Sequence, residues 1–312
     1  MRILVTGGAG FIGANLCKEL AKRREIDSIA ILDDLSTGSL ENLEGLDVEF
    51  VLGSILDRDL VDKIAYRADA VVHLGARPSV PRSIADPVAT HEVNATGTLY
   101  VLDACRRSGA HVVAASSSSV YGDAAVLPAH ENLPTRPLSP YAASKLAAEG
   151  YLSGYAASFG LPILAFRFFN VYGPLQAPNH DYAAVIPKFL YSALHGEPVR
   201  VYGDGRQTRD FTYVGSVVRV LADAVTRRVV SRTPVNLAFG TSSSLLDLIG
   251  EMRRTLELEV VAEHLPARPG EVRDSRACDR RLAELFPGVL PTPLSEGLEV
   301  TGAWMNNKRG RP

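Results

Sequence analysis

The stretch TGGAGFIG at positions 6–13 begins where the apolar run of residues 3–6 ends. Its glycines at positions 8, 10 and 13 have the G-x-G-x-x-G spacing, and an amphipathic stretch follows over residues 12–23. Between a strand and a helix, glycines let backbone N–H groups approach a pyrophosphate at the positive end of the helix. The sequence therefore predicts a dinucleotide-binding turn at the start of the chain.

An acidic residue, Asp33, follows the next apolar run, residues 28–32, and lies twenty positions after Gly13. In dinucleotide-binding folds, a carboxylate at about this distance hydrogen-bonds a ribose 2′-hydroxyl and repels a 2′-phosphate. We therefore predict that the cofactor is NAD rather than NADP.

Apolar runs and amphipathic stretches alternate through the first half of the chain, which predicts an α/β fold with a doubly wound parallel sheet (Rossmann) of about seven strands. The predicted strands are residues 3–6, 28–32, 48–52, 70–74, 111–116, 162–168 and a returning 235–238, and the predicted helices are 12–23, 58–65, 91–108 and 139–159. Prolines punctuate the second half. We assign residues 1–170 to the NAD-binding domain, 171–305 mainly to a smaller C-terminal substrate-binding lobe, and 306–312 to a disordered tail.

Composition excludes several classes of protein. The formal net charge of the 312 residues is −2, so no basic field is available for nucleic acid or an anionic membrane. The three cysteines are far apart and predict neither a disulfide framework nor a metal site. We find no signal peptide and no apolar run of about 18 residues, and expect a cytoplasmic protein with no membrane partner.

Two polar patterns in the first half are candidates for chemistry. Tyr141 and Lys145 are four residues apart on a predicted helix that begins at Ser139 and Pro140, so they share one face. A tyrosine that acts as a base near neutral pH needs its pKa lowered from about 10, which a lysine and a cationic nicotinamide favour. Alone, the spacing of Tyr141 and Lys145 is more typical of a solvated helix face. The second pattern is the four serines at positions 116–119, which alone are more typical of a polar strand end.

These features together resemble the extended short-chain dehydrogenase/reductase superfamily, within it the NAD-dependent epimerase/dehydratase family and the UDP-hexose 4-epimerase group. The motifs that carry the resemblance run from residue 6 to about residue 304 and include TGGAGFIG, ILDDLSTG, HLGA, SSSSVYG, SPYAASK, RFFNVYGP, AAVIPKF, VYGDGRQTRDFTYV and RPGEVR. The resemblance implies an NAD-dependent isomerase acting on a UDP-sugar.

The resemblance also implies site residues. Tyr141 corresponds to the general base, Lys145 to its partner, and Ser117 to the hydroxyl residue, with Ser118 as a neighbour on the sugar. The implied cofactor residues are Gly7, Gly10, Phe11, Ile12, Gly13, Asp33, Asp34, Ser36, Thr37, Gly38, Ser54, Ile55, Leu74, Gly75, Ala76, Asn94, Ser116, Tyr141, Lys145, Phe168 and Val171. The implied substrate residues are Ser79, Ser117, Ser118, Tyr141, Asn170, Ala184, Val185, Lys188, Tyr202, Arg209, Arg268 and Glu271.

Departures from the family's patterns narrow the sugar. Leu175 stands where glucuronate-type epimerases carry an arginine, and no acidic residue follows Ser117 as it does in dehydratases. Ser275 stands where some relatives carry a tyrosine, which leaves room for a 2-acetamido group. We expect a 4-epimerase of UDP-glucose/UDP-galactose that also accepts UDP-GlcNAc/UDP-GalNAc. The alternatives are a UDP-glucuronate 4-epimerase, another nucleotide-sugar dehydratase or 4-ketoreductase, and a non-catalytic NAD-binding protein.

Relatives commonly pair two helices, here residues 91–108 and 139–159, across a two-fold axis. The alanines of the second helix, Ala142, Ala143, Ala147 and Ala148, allow close approach, although they can equally pack on the sheet. The resemblance therefore implies a homodimer.

Overall fold

A computed structural model describes residues 1–124, 126–178, 183–267 and 273–309 of the chain. Its strands are β1 (Arg2–Thr6), β2 (Ser28–Asp33), β3 (Glu49–Leu52), β4 (Ala70–His73), β5 (His111–Ser117), β6 (Ile163–Phe168), β7 (Asn170–Tyr172), β8 (Val199–Tyr202), β9 (Thr208–Arg209), β10 (Phe211–Tyr213), β11 (Val235–Leu237), β12 (Ser243–Ser244), β13 (Ala262–Leu265) and β14 (Asp274–Ser275). Its α-helices are α1 (Phe11–Leu20), α2 (Arg58–Ala65), α3 (Val80–Ala85), α4 (Pro87–His91), α5 (Gly97–Ser108), α6 (Pro140–Phe159), α7 (Val185–Leu194), α8 (Val214–Thr226), α9 (Leu245–Leu256), α10 (Arg280–Leu285) and α11 (Leu294–Arg309).

Seven strands form the central sheet, in the order β11-β6-β5-β4-β1-β2-β3, and every neighbouring pair is parallel. The strands β1 and β4 are buried over nearly their whole length, as expected of a sheet covered on both faces. The strand order reverses between β1 and β4, and ligands of open α/β sheets bind beyond the carboxyl ends of the strands at such a point. The predicted doubly wound fold is confirmed.

Helices cover the sheet in two layers. On one face, α1 packs against α8, and their side chains join those of β1 and β6 in one apolar cluster. On the other face, α5 packs against α2 and against α6, and side chains of all three helices join the sheet in a second cluster. The sequence predicted that one strand of the second half, residues 235–238, returns to the central sheet. The helix α8 also belongs with the sheet, because it packs against α1 on one of its faces.

A third apolar cluster forms the smaller C-terminal lobe. It gathers side chains of α7, α9, α11 and β8 away from the central sheet. Short strand pairs complete the lobe: β8 with β13, β7 with β10, and β9 between β12 and β14. The lobe adjoins the sheet through β7, which begins two residues after β6 ends.

Two predicted element boundaries are corrected. The helix predicted over residues 91–108 is built from α4, a π-helical turn at Glu92–Thr96 and α5, with α3 preceding them. The tail predicted over 306–312 is helical through Arg309, because α11 places Leu298 and Met305 in the third cluster and thereby orders the turns around them. Over the described ranges, no helix has the length and apolar character that crossing a bilayer requires.

Candidate active site

The glycine turn leaves no room for a Cβ atom at Gly7 or Gly13. Gly7 has φ +70°, and a Cβ there would lie 2.8 Å from the backbone nitrogen of Gly75. A Cβ on Gly13 would lie 2.2 Å from the carbonyl oxygen of Gly7. Gly10, which has no side chain to accept a capping hydrogen bond, is the N-cap of α1. This cradle of backbone N–H groups at a helix N-terminus fits the pyrophosphate of a dinucleotide.

Asp33 ends β2 beside this turn. Its carboxylate accepts hydrogen bonds from the backbone N–H groups of Ala9, at 2.9 Å, and Leu35, at 2.8 Å. Burial raises the pKa of Asp33, and these N–H groups oppose the shift. The carboxylate therefore lies against the glycine turn, where a ribose hydroxyl of NAD would meet it, and the residues present fit the predicted cofactor.

The other predicted cofactor residues lie in segments that follow the carboxyl ends of strands. Asp34 and Ser36–Gly38 follow β2, Ser54 and Ile55 follow β3, Leu74–Ala76 follow β4, and Phe168 and Val171 lie at the end of β6 and on β7. Within this group, Asp34 accepts a hydrogen bond from the N–H of Ser36, and Ser54 accepts one from the N–H of Leu56. The side chains of Asp34 and Ser54 therefore stabilise the loops in which they lie, a role that the sequence spacing does not reveal.

Two predicted cofactor residues use their side chains elsewhere. The hydroxyl of Ser116 donates to Glu149 at 2.5 Å, on the face of β5 opposite Ser117, because side chains alternate along a strand. The amide of Asn94 bonds the backbone N–H and carbonyl of Arg77 and donates to the hydroxyl of Ser144. The side chains of Ser116 and Asn94 are thus engaged in hydrogen bonds within the protein, and their contact with the cofactor stays a prediction.

The three predicted catalytic residues meet at the carboxyl end of β5. The hydroxyl of Ser117 accepts from that of Ser119 at 2.9 Å and is hydrogen-bonded to Tyr141. Lys145, one turn further along α6, donates from Nζ to the carbonyl oxygen of Ala115 at 2.9 Å. Ser117, rather than Ser118, is thus the hydroxyl on Tyr141, and Ser119 is a contact that the sequence did not single out.

Burial and hydrogen bonding set the charge states of this cluster. Burial raises the pKa of Tyr141, and its hydrogen bond with Ser117 lowers it. Burial lowers the pKa of Lys145 to about 8, and the carboxylate of Glu149 acts in the opposite direction. Tyr141 is therefore neutral and Lys145 mostly charged near neutral pH, and further cationic charge beside Tyr141 would favour its ionisation.

A buried ion pair connects α6, the helix that carries Tyr141 and Lys145, to β6, and the sequence analysis did not predict it. Arg167 on β6 bonds Glu149 on α6 through Nε at 2.9 Å and Nη2 at 2.7 Å, and their side chains are 5% and 6% exposed. The guanidinium carbon of Arg167 also lies 4.7 Å from the ring centre of Tyr121. The available signal was a lone arginine inside an otherwise apolar buried strand, together with a glutamate one turn after Lys145.

A cavity of about 660 Å³ lies between β7, α7 and the short strands of the C-terminal lobe. It gathers six of the predicted substrate residues, which come from four separate segments of the chain: Asn170, Ala184, Val185, Lys188, Tyr202 and Arg209. Arg209 is held through Nη1 by the carbonyl oxygens of Thr208 and Arg273. The predictions for Arg268 and Glu271 fall outside the described residues.

Ser79 and Ser275 lie outside that cavity's lining. Ser79 caps α3, accepts from the N–H of Arg82 and has φ +94°, a conformation that non-glycine residues rarely adopt and that is concentrated at functional sites. Ser275, on β14, lies beside Arg209 in the register with β9 and is half-buried.

Comparisons with known proteins agree with this geometry. The family model for the NAD dependent epimerase/dehydratase family matches residues 3–238. The chain is 36% identical over 318 aligned residues to the UDP-glucose 4-epimerase of Mycolicibacterium smegmatis, covering 99% of each. The chain belongs to the NAD dependent epimerase/dehydratase family, whose cofactor is NAD.

Solved structures share the whole fold. A UDP-N-acetylglucosamine 4-epimerase of Methanobrevibacter ruminantium, solved with UDP-N-acetylmuramic acid, is 34% identical with a TM-score of 0.92, and the alignment covers 98% of each chain. A UDP-glucuronic acid 4-epimerase of Bacillus cereus, solved with UDP-glucuronic acid and NAD, is 31% identical with a TM-score of 0.88, covering 99% of this chain and 100% of that one. Enzymes acting on different UDP-sugars are thus similarly close, and the particular sugar has to be argued from the site.

Proposed function

We propose that the protein is an NAD-dependent 4-epimerase of a UDP-hexose. The observation that carries the proposal is the contact of Tyr141 with Ser117, beside Lys145, at the sheet edge where the glycine turn and Asp33 also lie. A hydroxyl pair and a buried ammonium at this edge supply a base with an adjustable pKa next to a site for a nicotinamide cofactor.

The residues divide the work at C4 of the sugar. Tyr141 removes the proton from O4, and Ser117 hydrogen-bonds the same oxygen. Lys145 holds positive charge near Tyr141 and favours the ionised form. Bound NAD supplies reversible hydride acceptance at C4. The resulting 4-keto sugar turns about its diphosphate link, and reduction on its other face, with Tyr141 returning the proton to O4, gives the epimer.

The lobe cavity holds the part of the substrate that does not react. Arg209 and Lys188 supply positive charge for a diphosphate, and Tyr202 and Val185 supply apolar surface for a nucleobase. Asn170, at the start of β7, connects this cavity to the end of β6. Because the UDP is gripped by its own cavity, its binding energy positions the sugar without fixing the sugar's orientation.

The residues at positions 175 and 275 favour a neutral hexose. Leu175 presents no cation to a uronate carboxylate, and the small Ser275 leaves space for an acetamido group. We therefore propose UDP-glucose/UDP-galactose and UDP-GlcNAc/UDP-GalNAc as substrates.

Product analysis with UDP-glucose, UDP-galactose, UDP-GlcNAc and UDP-glucuronate tests the proposal. We expect 4-epimers of the neutral sugars, no change in the absorbance of free NADH, and a loss of about 10²–10⁴-fold in turnover for Tyr141→Phe. Tyr151→Phe, on the same helix but 42% exposed, is the matched control and should match wild type. Conversion of UDP-glucuronate alone, net oxidation, loss of water, or no turnover of any sugar would each reject this function.

We further propose a cytoplasmic homodimer formed through α5 and α6. The alanines of α6 divide between two faces, because Ala142 and Ala148 are buried within the chain whereas Ala143 and Ala147 are more accessible. The accessible pair permits close helix packing across a two-fold axis. Light scattering of the purified protein should give twice the chain mass of 33.6 kDa, and a monomer would contradict this assembly.

A further inference from the structure

A buried histidine, His73, lies at the end of β4 and contacts two threonines. Its Nδ1 is 2.8 Å from the hydroxyl of Thr6, and its Nε2 is 2.9 Å from the hydroxyl of Thr98. Thr6 is the residue before the glycine turn, and Thr98 lies in the first turn of α5. Neither the fold nor the proposed chemistry requires a histidine here, where an apolar residue would satisfy the buried strand.

Neighbouring bonds fix which way each of these hydrogen bonds points. The hydroxyl of Thr98 donates to the carbonyl oxygen of Asn94 at 2.6 Å, so it accepts from His73, and Nε2 carries a proton. The hydroxyl of Thr6 accepts from the N–H of Gly75 at 3.1 Å, which leaves its own proton for Nδ1. A neutral ring protonated on Nε2 is therefore the form that satisfies every bond.

Asn94 joins these hydrogen bonds to the catalytic helix, because its backbone carbonyl accepts from Thr98 and its side-chain amide donates to α6. Asn94 donates from Nδ2 to the hydroxyl of Ser144 at 3.0 Å, and Ser144 donates to the carbonyl oxygen of Tyr141 at 2.8 Å. Asn94 also clamps the backbone of Arg77 on both sides. Asn94 lies in the π-helical turn before α5, and such turns are frequent at functional sites. An unbroken set of contacts thus connects Gly75 and the glycine turn to the backbone of the catalytic tyrosine.

We propose that His73 is a positioning residue that holds the cofactor turn and the catalytic helix in register through Thr6 on one side and Thr98, Asn94 and Ser144 on the other. The hydrogen bonds of its ring go to Thr6 and Thr98, so it would act on the catalytic tyrosine through other residues. The neutral ring offers one donor and one acceptor at opposite edges, which apolar residues lack, and burial keeps the ring neutral: its pKa is lowered to about 3, with the nearby charge of Lys145 acting in the same direction. The proposal rests on the proposed function only in taking Tyr141 as the base.

Replacement of His73 by leucine tests the proposal in the full-length protein. We expect bound NAD to exchange out about tenfold faster or more, and turnover to fall about tenfold, while KM for the UDP-sugar stays within about twofold. Ser144→Ala should lower turnover in the same way, and the double variant should lose less than the product of the two single losses, because both substitutions interrupt one chain.

A matched control separates positioning from stability. His111, at the beginning of the neighbouring strand β5, is also fully buried, and its Nε2 bonds the carbonyl oxygen of Val229 at 2.8 Å, at the other end of the sheet. His111→Leu should lower Tm but leave NAD exchange and turnover unchanged. If His73→Leu lowers Tm while NAD exchange and turnover stay within about twofold of wild type, His73 is structural only and the proposal is overturned.

Nitrogen-15 NMR tests the direction of these hydrogen bonds, with the His73 signals identified by their loss in His73→Leu. We expect the His73 ring to be neutral, with its proton on Nε2 and no titration between about pH 5.5 and 8.5. A proton on Nδ1, or titration in that range, would break the directional chain and overturn the proposal. NAD exchange and the NMR signals need no sugar, so a failure of the epimerase assay alone would leave this inference standing.

Discussion

Replacement of Glu149 by glutamine would break the ion pair that supports the catalytic helix. The substitution keeps the shape of the side chain but removes the charge that holds Arg167 through two hydrogen bonds and Ser116 through a third. Removing one partner of a buried pair costs about 3–5 kcal/mol, because the remaining charge stays desolvated. For a protein of this size, each kcal/mol lowers Tm by about 2–4 °C or less, so we expect a fall of roughly 10 °C.

The same variant changes the electrostatics of Lys145. Burial lowers the pKa of the Lys145 ammonium to about 8, and the negative charge of Glu149 acts in the opposite direction. The nearby imidazole of His73 is neutral and adds no charge. Without Glu149 the pKa of Lys145 falls further. Because the charged form assists Tyr141, the alkaline limit of turnover should move to lower pH, which a pH profile of kcat measures.

An exposed ion pair provides the control for Glu149→Gln. Asp223 lies on α8 and Arg227 directly follows that helix; Oδ2 of the first is 2.7 Å from Nη1 of the second, and their side chains are 26% and 50% exposed. Exposed ion pairs contribute at most about 1 kcal/mol to the free energy of unfolding. Asp223→Asn should therefore change Tm by a few degrees at most and leave the pH profile unchanged. A Tm for Glu149→Gln equal to that of the control, with the pH profile unmoved, would refute this reasoning.

Three further results follow from the described contacts. Gly13→Ala should abolish NAD binding, because its Cβ would lie 2.2 Å from the Gly7 carbonyl oxygen, whereas Gly150→Ala meets nothing within 4 Å and should retain NAD in the same dialysis assay. Ser275→Tyr should remove conversion of UDP-GlcNAc but spare UDP-glucose in parallel rate measurements; equal loss of both would contradict the pocket assignment. His73, with a native pKa of about 3 against 6.5 when unfolded, contributes stability that is present above pH 6.5 and is lost as pH falls toward 3, so denaturant titrations at pH 7 and 5 should give less stability at pH 5, and His73→Leu should reduce that difference.

Periodicity and glycine spacing predicted the central sheet well because both record local geometry. The runs that became β1, β4 and β6 are apolar at nearly every position, which is the pattern of strands buried on both faces. The glycine turn is similarly local, since Gly7 and Gly13 are required by atoms of the turn itself and of Gly75.

Contacts between distant segments were harder to predict. Ser116 and Ser117 are adjacent and chemically identical, and only the facing of β5 sends one hydroxyl to Glu149 and the other to Tyr141. The polar atoms of Asn94 are divided between Arg77 and Ser144, fifty residues further along the chain, and no local pattern encodes that separation. The π-helical turn that carries Asn94 likewise interrupts an amphipathic period that reads as one continuous helix.

The strand β11 has a consequence for biosynthesis. It forms the edge of the sheet beside β6, yet it lies nearly seventy residues later in the chain, and its Asn236 bonds Tyr121, Ala129 and Cys278. A nascent chain that has emerged only through residue 170 therefore presents the open edge of β6 and lacks α8 over one face, a state prone to edge-to-edge association. The first half should consequently be insoluble when expressed alone, and the order of synthesis leaves completion of the sheet until most of the polypeptide has left the ribosome.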